Sequence, residues 1–178
     1  MKPKVLGVFV LGLLLAGAVP AQAGLIGSDV DVTFYFPDMA TVFCSNGTAT
    51  VGAGVEYPSS CSGFDPVSID IGDNQIQVDT GGIGWSTGAF NGFLLSILSG
   101  PAITSATYGG GTMGVTDLEV DGGNLWVNFA GQSGGIALID FETEQVPEPG
   151  TLGFLAVGLA GAALRRRRTA DGSLDGRR

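Results

Sequence analysis

Side chains able to do acid-base or metal chemistry in this 178-residue chain are mostly carboxylates, and three groups of them are closely spaced: Asp29 with Asp31, Asp70 with Asp73, and Asp117 with Glu119 and Asp121. Carboxylate oxygens are the ligands that a hard cation such as calcium takes. Two carboxylates facing each other across a cleft are also what a glycosidase requires. Spacing limits the first use: alternate residues of a strand lie about 7 Å apart on one face, so a single ion needs ligands from a neighbouring strand or loop. Asp29 and Asp31 would meet Asp117, Glu119 and Asp121 only if their strands paired. Calcium held by these five residues is the one cofactor the sequence suggests, and otherwise it calls for none. Asp121-Gly122-Gly123-Asn124 lacks the acidic repeat of an EF-hand loop. A chain so rich in acids supplies carboxylate pairs by chance, so the expectation is a protein that is not an enzyme.

The distribution of charge excludes more than the acids suggest. All eight basic residues lie near the ends, at Lys2, Lys4, Arg165 to Arg168, Arg177 and Arg178, and the chain has no histidine. All seventeen acidic residues except Asp171 and Asp175 lie between Gly24 and Gly150. The middle of the chain is therefore far more acidic than the formal net charge of −9 indicates. Nucleic-acid binding needs cations to meet phosphates, and here there are none. Phosphoryl transfer lacks the Lys or Arg that offsets developing charge, and Ser-His-Asp or Cys-His catalysis lacks its histidine. Unpaired acids keep an exported domain soluble, which accounts for their number without a specific site.

Two cysteines, Cys44 and Cys61, are present. An even count in an exported chain reads as a disulfide, and closing so short a loop contributes roughly 3 kcal/mol in the chain-entropy description. Tyr35, Tyr57, Trp85, Tyr108 and Trp126 could stack on sugars, although core packing is the commoner use of such side chains.

The elements that must position these residues are strands. In Asp29 to Phe36, the residues Val30, Val32, Phe34 and Phe36 share one face, and Pro37-Asp38 ends the run. Thr41 to Cys44 and Thr48 to Val51 flank Ser45-Asn46-Gly47 and are expected to form a hairpin. Val67 to Ile71 and Gln75 to Asp79 flank Gly72-Asp73-Asn74 as a second hairpin, with Ile69, Ile71, Ile76 and Val78 pointing inward. Phe93 to Leu98 is apolar on both faces, as a central strand covered on each side would be. Further strands are expected at Ile103 to Tyr108, Gly114 to Val120, Leu125 to Phe129 and Ile136 to Phe141, the glycines between Tyr108 and Gly114 being a loose connection. Nine to eleven short strands with no helical periodicity predict an all-β domain, an antiparallel β-sandwich or jelly-roll-like fold.

Both ends carry addressing signals. Lys2 and Lys4 precede the apolar run Val5 to Val19, and Ala21-Gln22-Ala23 supplies the small-x-small pattern of a signal peptidase site, so the mature chain is expected to start at Gly24. At the other end, Val146-Pro147-Glu148-Pro149-Gly150 interrupts regular structure. An uncharged run of fourteen residues, Thr151 to Leu164, follows, and Arg165-Arg166-Arg167-Arg168 closes it. That is the order of a membrane-seeking helix with a cytoplasmic stop. A bilayer span takes about 20 residues, so spanning requires snorkelling arginines.

This tail resembles the PEP-CTERM sorting signal of Gram-negative bacteria. The resemblance implies that an exosortase cuts near Pro147-Glu148-Pro149, and that the passenger is released or transferred to the cell surface or an exopolysaccharide matrix. Thr169 to Arg178 continues past the arginines, where such tails usually stop sooner. The expected organisation is a signal peptide over 1–23, a secreted β-sandwich over 24–145, the sorting signal over 146–168 and a disordered cytoplasmic tail over 169–178. Expected partners are signal peptidase, exosortase, the inner membrane in transit and exopolysaccharide. The passenger would face the periplasm while anchored and then reach the surface in a structural or interaction role; the alternative is a calcium-assisted carbohydrate-binding module.

Overall fold

Alternation of apolar and polar residues at every second position, with β-branched and aromatic types filling the apolar positions, gives strands that bury one face. The structure is a computed structural model that describes residues 24–61 and 67–145. The expected signal peptide, the sorting helix with its arginine stop and the last ten residues lie outside the described residues. Nine strands occur among the described residues: β1 (Asp29–Tyr35), β2 (Val42–Thr50), β3 (Ser68–Ile71), β4 (Gln75–Asp79), β5 (Gly92–Ile97), β6 (Ile103–Gly111), β7 (Asp117–Asp121), β8 (Asn124–Asn128) and β9 (Ile136–Thr143). They form a five-stranded sheet of order β2-β1-β5-β8-β7 and a four-stranded sheet of order β3-β4-β9-β6. Every pairing is antiparallel. The fold is thus the expected all-β class, with residues 22–145 forming one compact unit.

The inner faces meet in one core. Val30, Val32, Phe34, Phe93, Leu95, Leu125 and Val127 come from the larger sheet, and Ile69, Ile71, Ile76, Val78, Ile103, Ala137, Ile139 and Phe141 from the smaller. The β3–β4 hairpin forms as the sequence predicts, with Ile69 opposite Val78 and Ile71 opposite Ile76, and all four side chains are buried. Two of the buried polar side chains, Thr80 and Asn128, are bonded to the loops. The Thr80 hydroxyl donates to the Gly135 carbonyl and accepts from the Gly135 amide. Asn128 Oδ1 accepts from the amides of Asn91 and Ala130.

Three expectations are corrected. Val42 to Thr50 is one strand and not a hairpin, because both of its halves pair with β1: Thr48 lies opposite Asp31 and Ser45 opposite Thr33. The extra residue is absorbed as a β-bulge at Gly47, whose φ of 76° suits glycine. Second, the glycines after Tyr108 are not a loose connection. They continue β6, with Gly110 opposite Leu138 and Gly111 opposite Ala137. Third, β5 is central as expected, but only one of its faces meets the core, with Phe93 and Leu95 buried and Ile97 packed against them at the rim. Leu94 and Ser96 lie half-buried on the outer face of the sheet, where no second layer of strands covers them among the described residues.

Candidate functional site

The three acidic groups do not converge. Two whole strands, β5 and β8, separate β1 from β7, so Asp29 and Asp31 lie at least about 14 Å from Asp117, Glu119 and Asp121 at ordinary strand spacing. The calcium expectation depended on those strands pairing, and they do not. No cluster of three metal-ligating side chains occurs among the described residues. Hydroxyls satisfy the first pair instead: Asp29 accepts from Thr50 at 2.7 Å and from Ser99 at 3.2 Å, and Asp31 from Thr33 at 2.9 Å. Asp117 accepts from the following amide, that of Leu118. Asp70 stands opposite Gln77 in the β3–β4 ladder, and Asp73 sits in the turn between those strands. Asp38 fastens the β1–β2 connection. The Thr41 hydroxyl and the Ala40 amide hold its carboxyl below the usual carboxylate range.

The cysteines pair as the sequence predicts. Cys44 and Cys61 form a disulfide with Cα atoms 5.7 Å apart, well within the normal reach of such a bridge. It ties β2 to the irregular segment that follows it. On the same segment Tyr57 is 5 % exposed and bridges to Ile69 of β3, so the segment spans between the two sheets at their β2/β3 edge. The Asn46 side chain accepts from the Cys61 amide at 2.9 Å and fixes the bridge from the other side.

The aromatic candidates separate into two places. Tyr57 is buried at the edge, and Tyr108 is 45 % exposed with its hydroxyl donating to the Met113 carbonyl. On the outer face of the five-stranded sheet, Tyr35 of β1 and Trp126 of β8 meet across β5, their ring centroids 4.9 Å apart and tilted by 58°. Gly92 lies opposite Tyr35 on the intervening strand and presents no side chain between the rings. Phe90 sets its ring edge-on to Trp126 at 5.6 Å. Hydrogen-bonding side chains line the next row, where Thr48, Asp31, Ser96, Asn124 and Asp121 follow one another in register across the sheet.

Trp85 takes a different role. Its ring stacks on Phe34 with centroids 6.2 Å apart and packs against Phe129 at 4.8 Å, joining the core aromatics. Its other surroundings form a cavity of about 280 Å³ at the end of β1, walled by Phe34, Phe36, Phe43, Val67 and Ile83, with Ser60 and Cys61 of the disulfide segment beside them. The Trp85 indole nitrogen and the Ser60 hydroxyl are buried, and neither has a hydrogen-bond partner. Ser60, Phe36 and Ile83 carry no sequence signal for such a place. They come from separate stretches that only the packing of the two long connections brings together.

At the far end of the fold, β9 finishes at Thr143, and the Glu144 amide donates to the Ala102 carbonyl at 2.8 Å. The chain is thus tied to the sandwich up to the residue before Gln145. A model of the PEP-CTERM protein-sorting motif matches residues 145–168, so the motif begins immediately beyond that last hydrogen bond. No curated protein and no solved structure matches the chain. The chain carries the sorting signal of an exported exosortase substrate, joined directly to a two-sheet antiparallel domain with an internal disulfide.

Proposed function

We propose that this protein is sorted by an exosortase to the cell surface or to the exopolysaccharide matrix, and that its sandwich serves there as a structural or interaction component without catalysing a reaction. The observation that carries this reading is the sorting motif over residues 145–168, placed directly after the last strand of a domain that contains no Lys, Arg or His. In this reading signal peptidase cleaves after Ala23, following Ala21-Gln22-Ala23, and releases Gly24 as the new N-terminus. The run from Thr151 to Leu164 holds the chain in the inner membrane, with Arg165 to Arg168 on the cytoplasmic side. Exosortase then cuts near Val146-Pro147-Glu148-Pro149, leaving residues 24–145 intact. Fractionation of cells with and without the exosortase tests the proposal. Loss of the enzyme is expected to leave a longer, membrane-bound form in place of the surface form, and an unchanged size and location would refute it.

A second reading is favoured by the Tyr35–Trp126 pair, whose rings lie on one sheet face beside a row of hydroxyl, amide and carboxylate groups. Such a face suits a neutral polysaccharide, which offers apolar ring faces to aromatics and hydroxyls to polar side chains; an acidic polymer would meet only like charge. Calorimetry of the exported protein with neutral glycans should show heat that Trp126→Ala abolishes. Absence of heat with a panel of such glycans removes this reading.

A further inference from the structure

Close to the cut ascribed above to signal peptidase, the chain is already fixed to the sandwich. Leu25 is fully buried in the core, and its amide donates to the Asp73 carbonyl, in the β3–β4 turn, at 3.1 Å. Chain termini are poorly ordered unless tied down in such a way. Gly24 lies directly against the same turn: a Cβ on it would overlap the Asp73 carboxylate, Oδ1 foremost, and crowd the Asp73 carbonyl. A Cβ stands about 2.5 Å from the nitrogen of its own residue, so Asp73 Oδ1 is within about 4 Å of the Gly24 nitrogen. From this geometry we infer that Asp73 is the receptor for the mature N-terminus, its carboxylate pairing with the Gly24 ammonium once the signal peptide has gone; this rests on cleavage after Ala23.

In the precursor the Gly24 nitrogen is a neutral amide. Signal peptidase hydrolyses the Ala23–Gly24 bond: water supplies the hydroxyl of the new Ala23 carboxyl group and a proton to the Gly24 nitrogen, which at neutral pH is mostly an ammonium. Cleavage thus creates a positive charge at ion-pair distance from a carboxylate already in place. No other cation competes for that carboxylate within the domain, because no residue between Gly24 and Gly150 is Lys, Arg or His. Many carboxylates could attract the ammonium from afar, but the anchoring of Leu25 sets it beside Asp73. Glycine at position 24 follows from the same contact, since any side chain there would push the carboxylate off the nitrogen. Asp73 is exposed, so solvent screens the pair and its effect is modest, about two- to fivefold in an equilibrium.

Lys2 and Lys4 leave with the signal peptide, and the chain has no other lysine, so an amine-acylating reagent finds a single amine in the exported protein. At about pH 7 only the small neutral fraction of that amine reacts with sulfosuccinimidyl acetate, and mass spectrometry of the N-terminal peptide reads the rate at Gly24. Asp73→Asn keeps the shape of the side chain and suits a turn equally well. The remaining carboxylates act alike on both proteins, so the ratio of rates isolates Asp73. The exported protein is expected to react about two- to fivefold more slowly than Asp73→Asn at low salt, with the ratio falling toward one in about 1 M sodium chloride. Shielding of the amine by the turn alone would persist in salt. The mass of the untreated protein separates the two ways of failing. A first residue other than Gly24 overturns both the cleavage site and the pair. A start at Gly24 with equal rates, or with a ratio that salt does not change, overturns the pair and leaves the cleavage site standing.

Discussion

The hydroxyl of Tyr57 lies 3.2 Å from the carbonyl oxygen of Val30 and 3.0 Å from that of Gly47, in a setting that the residue's sequence neighbours do not indicate. Burial, then the carboxylates of Asp31 and Glu56, push its phenol up to about 12. The unfolded chain ionises this group near pH 10, before the folded state does. Its stabilising contribution is therefore complete below about pH 10 and is lost as the pH rises from there to about 12. Denaturant unfolding measured across that window should show a falling midpoint. In Tyr57→Phe the fall should be smaller, with a loss of about 1 kcal/mol at neutral pH for the missing hydrogen bond. At the same scale the sequence is a good guide to charge and a poor one to contact. Asp29, Asp31, Asp117, Glu119 and Asp121 are legible as acids on strand faces, yet which of them are neighbours depends on strand order, and β5 and β8 stand between the two groups.

Among the elements, β2 and its disulfide separate local from tertiary information. The Ser45-Asn46-Gly47 stretch has the composition of a turn, but the pairing of β2 along one edge of β1 converts it to a bulge. The bridge from Cys44 spans a sequence separation of 17. Reducing it should lower unfolding stability by about 3 kcal/mol on the chain-entropy account, readable from urea curves with and without reductant. The glycine opening β5 offers a sharper test of packing between strands. A Cβ on Gly92 would run into the Val127 carbonyl oxygen of β8, whereas one on Gly52 would find only the Thr50 carbonyl at 4.0 Å. Gly92→Ala should therefore cost about 1–3 kcal/mol, as overpacking does, while Gly52→Ala should change the thermal midpoint little.

For the molecule as a whole, the position of β9 ties the fold to sorting. It lies between β4 and β6 in the four-stranded sheet, and the matched motif begins at residue 145, two positions beyond its end. Cleavage anywhere after Gln145 should leave the sandwich whole, whereas a cut before Ile136 would remove a central strand. The expected outcome is that residues 24–145 unfold at the same midpoint as the exported protein, and that residues 24–135 give no cooperative transition by circular dichroism. What the sequence alone determined were the all-β class, the inward residues of most strands, the cysteine pair and the sorting signal. Each depends on residue type or on spacing within a few positions, and such short-range order is written along the chain. The order of strands in the sheets, the meeting of Tyr35 with Trp126, and the cavity that unites Ser60 with Trp85 were decided only by tertiary structure. They join segments far apart in sequence, and the side chains that come to share a wall or a sheet face are selected by the packing of two sheets against each other and by the connections that cross between them.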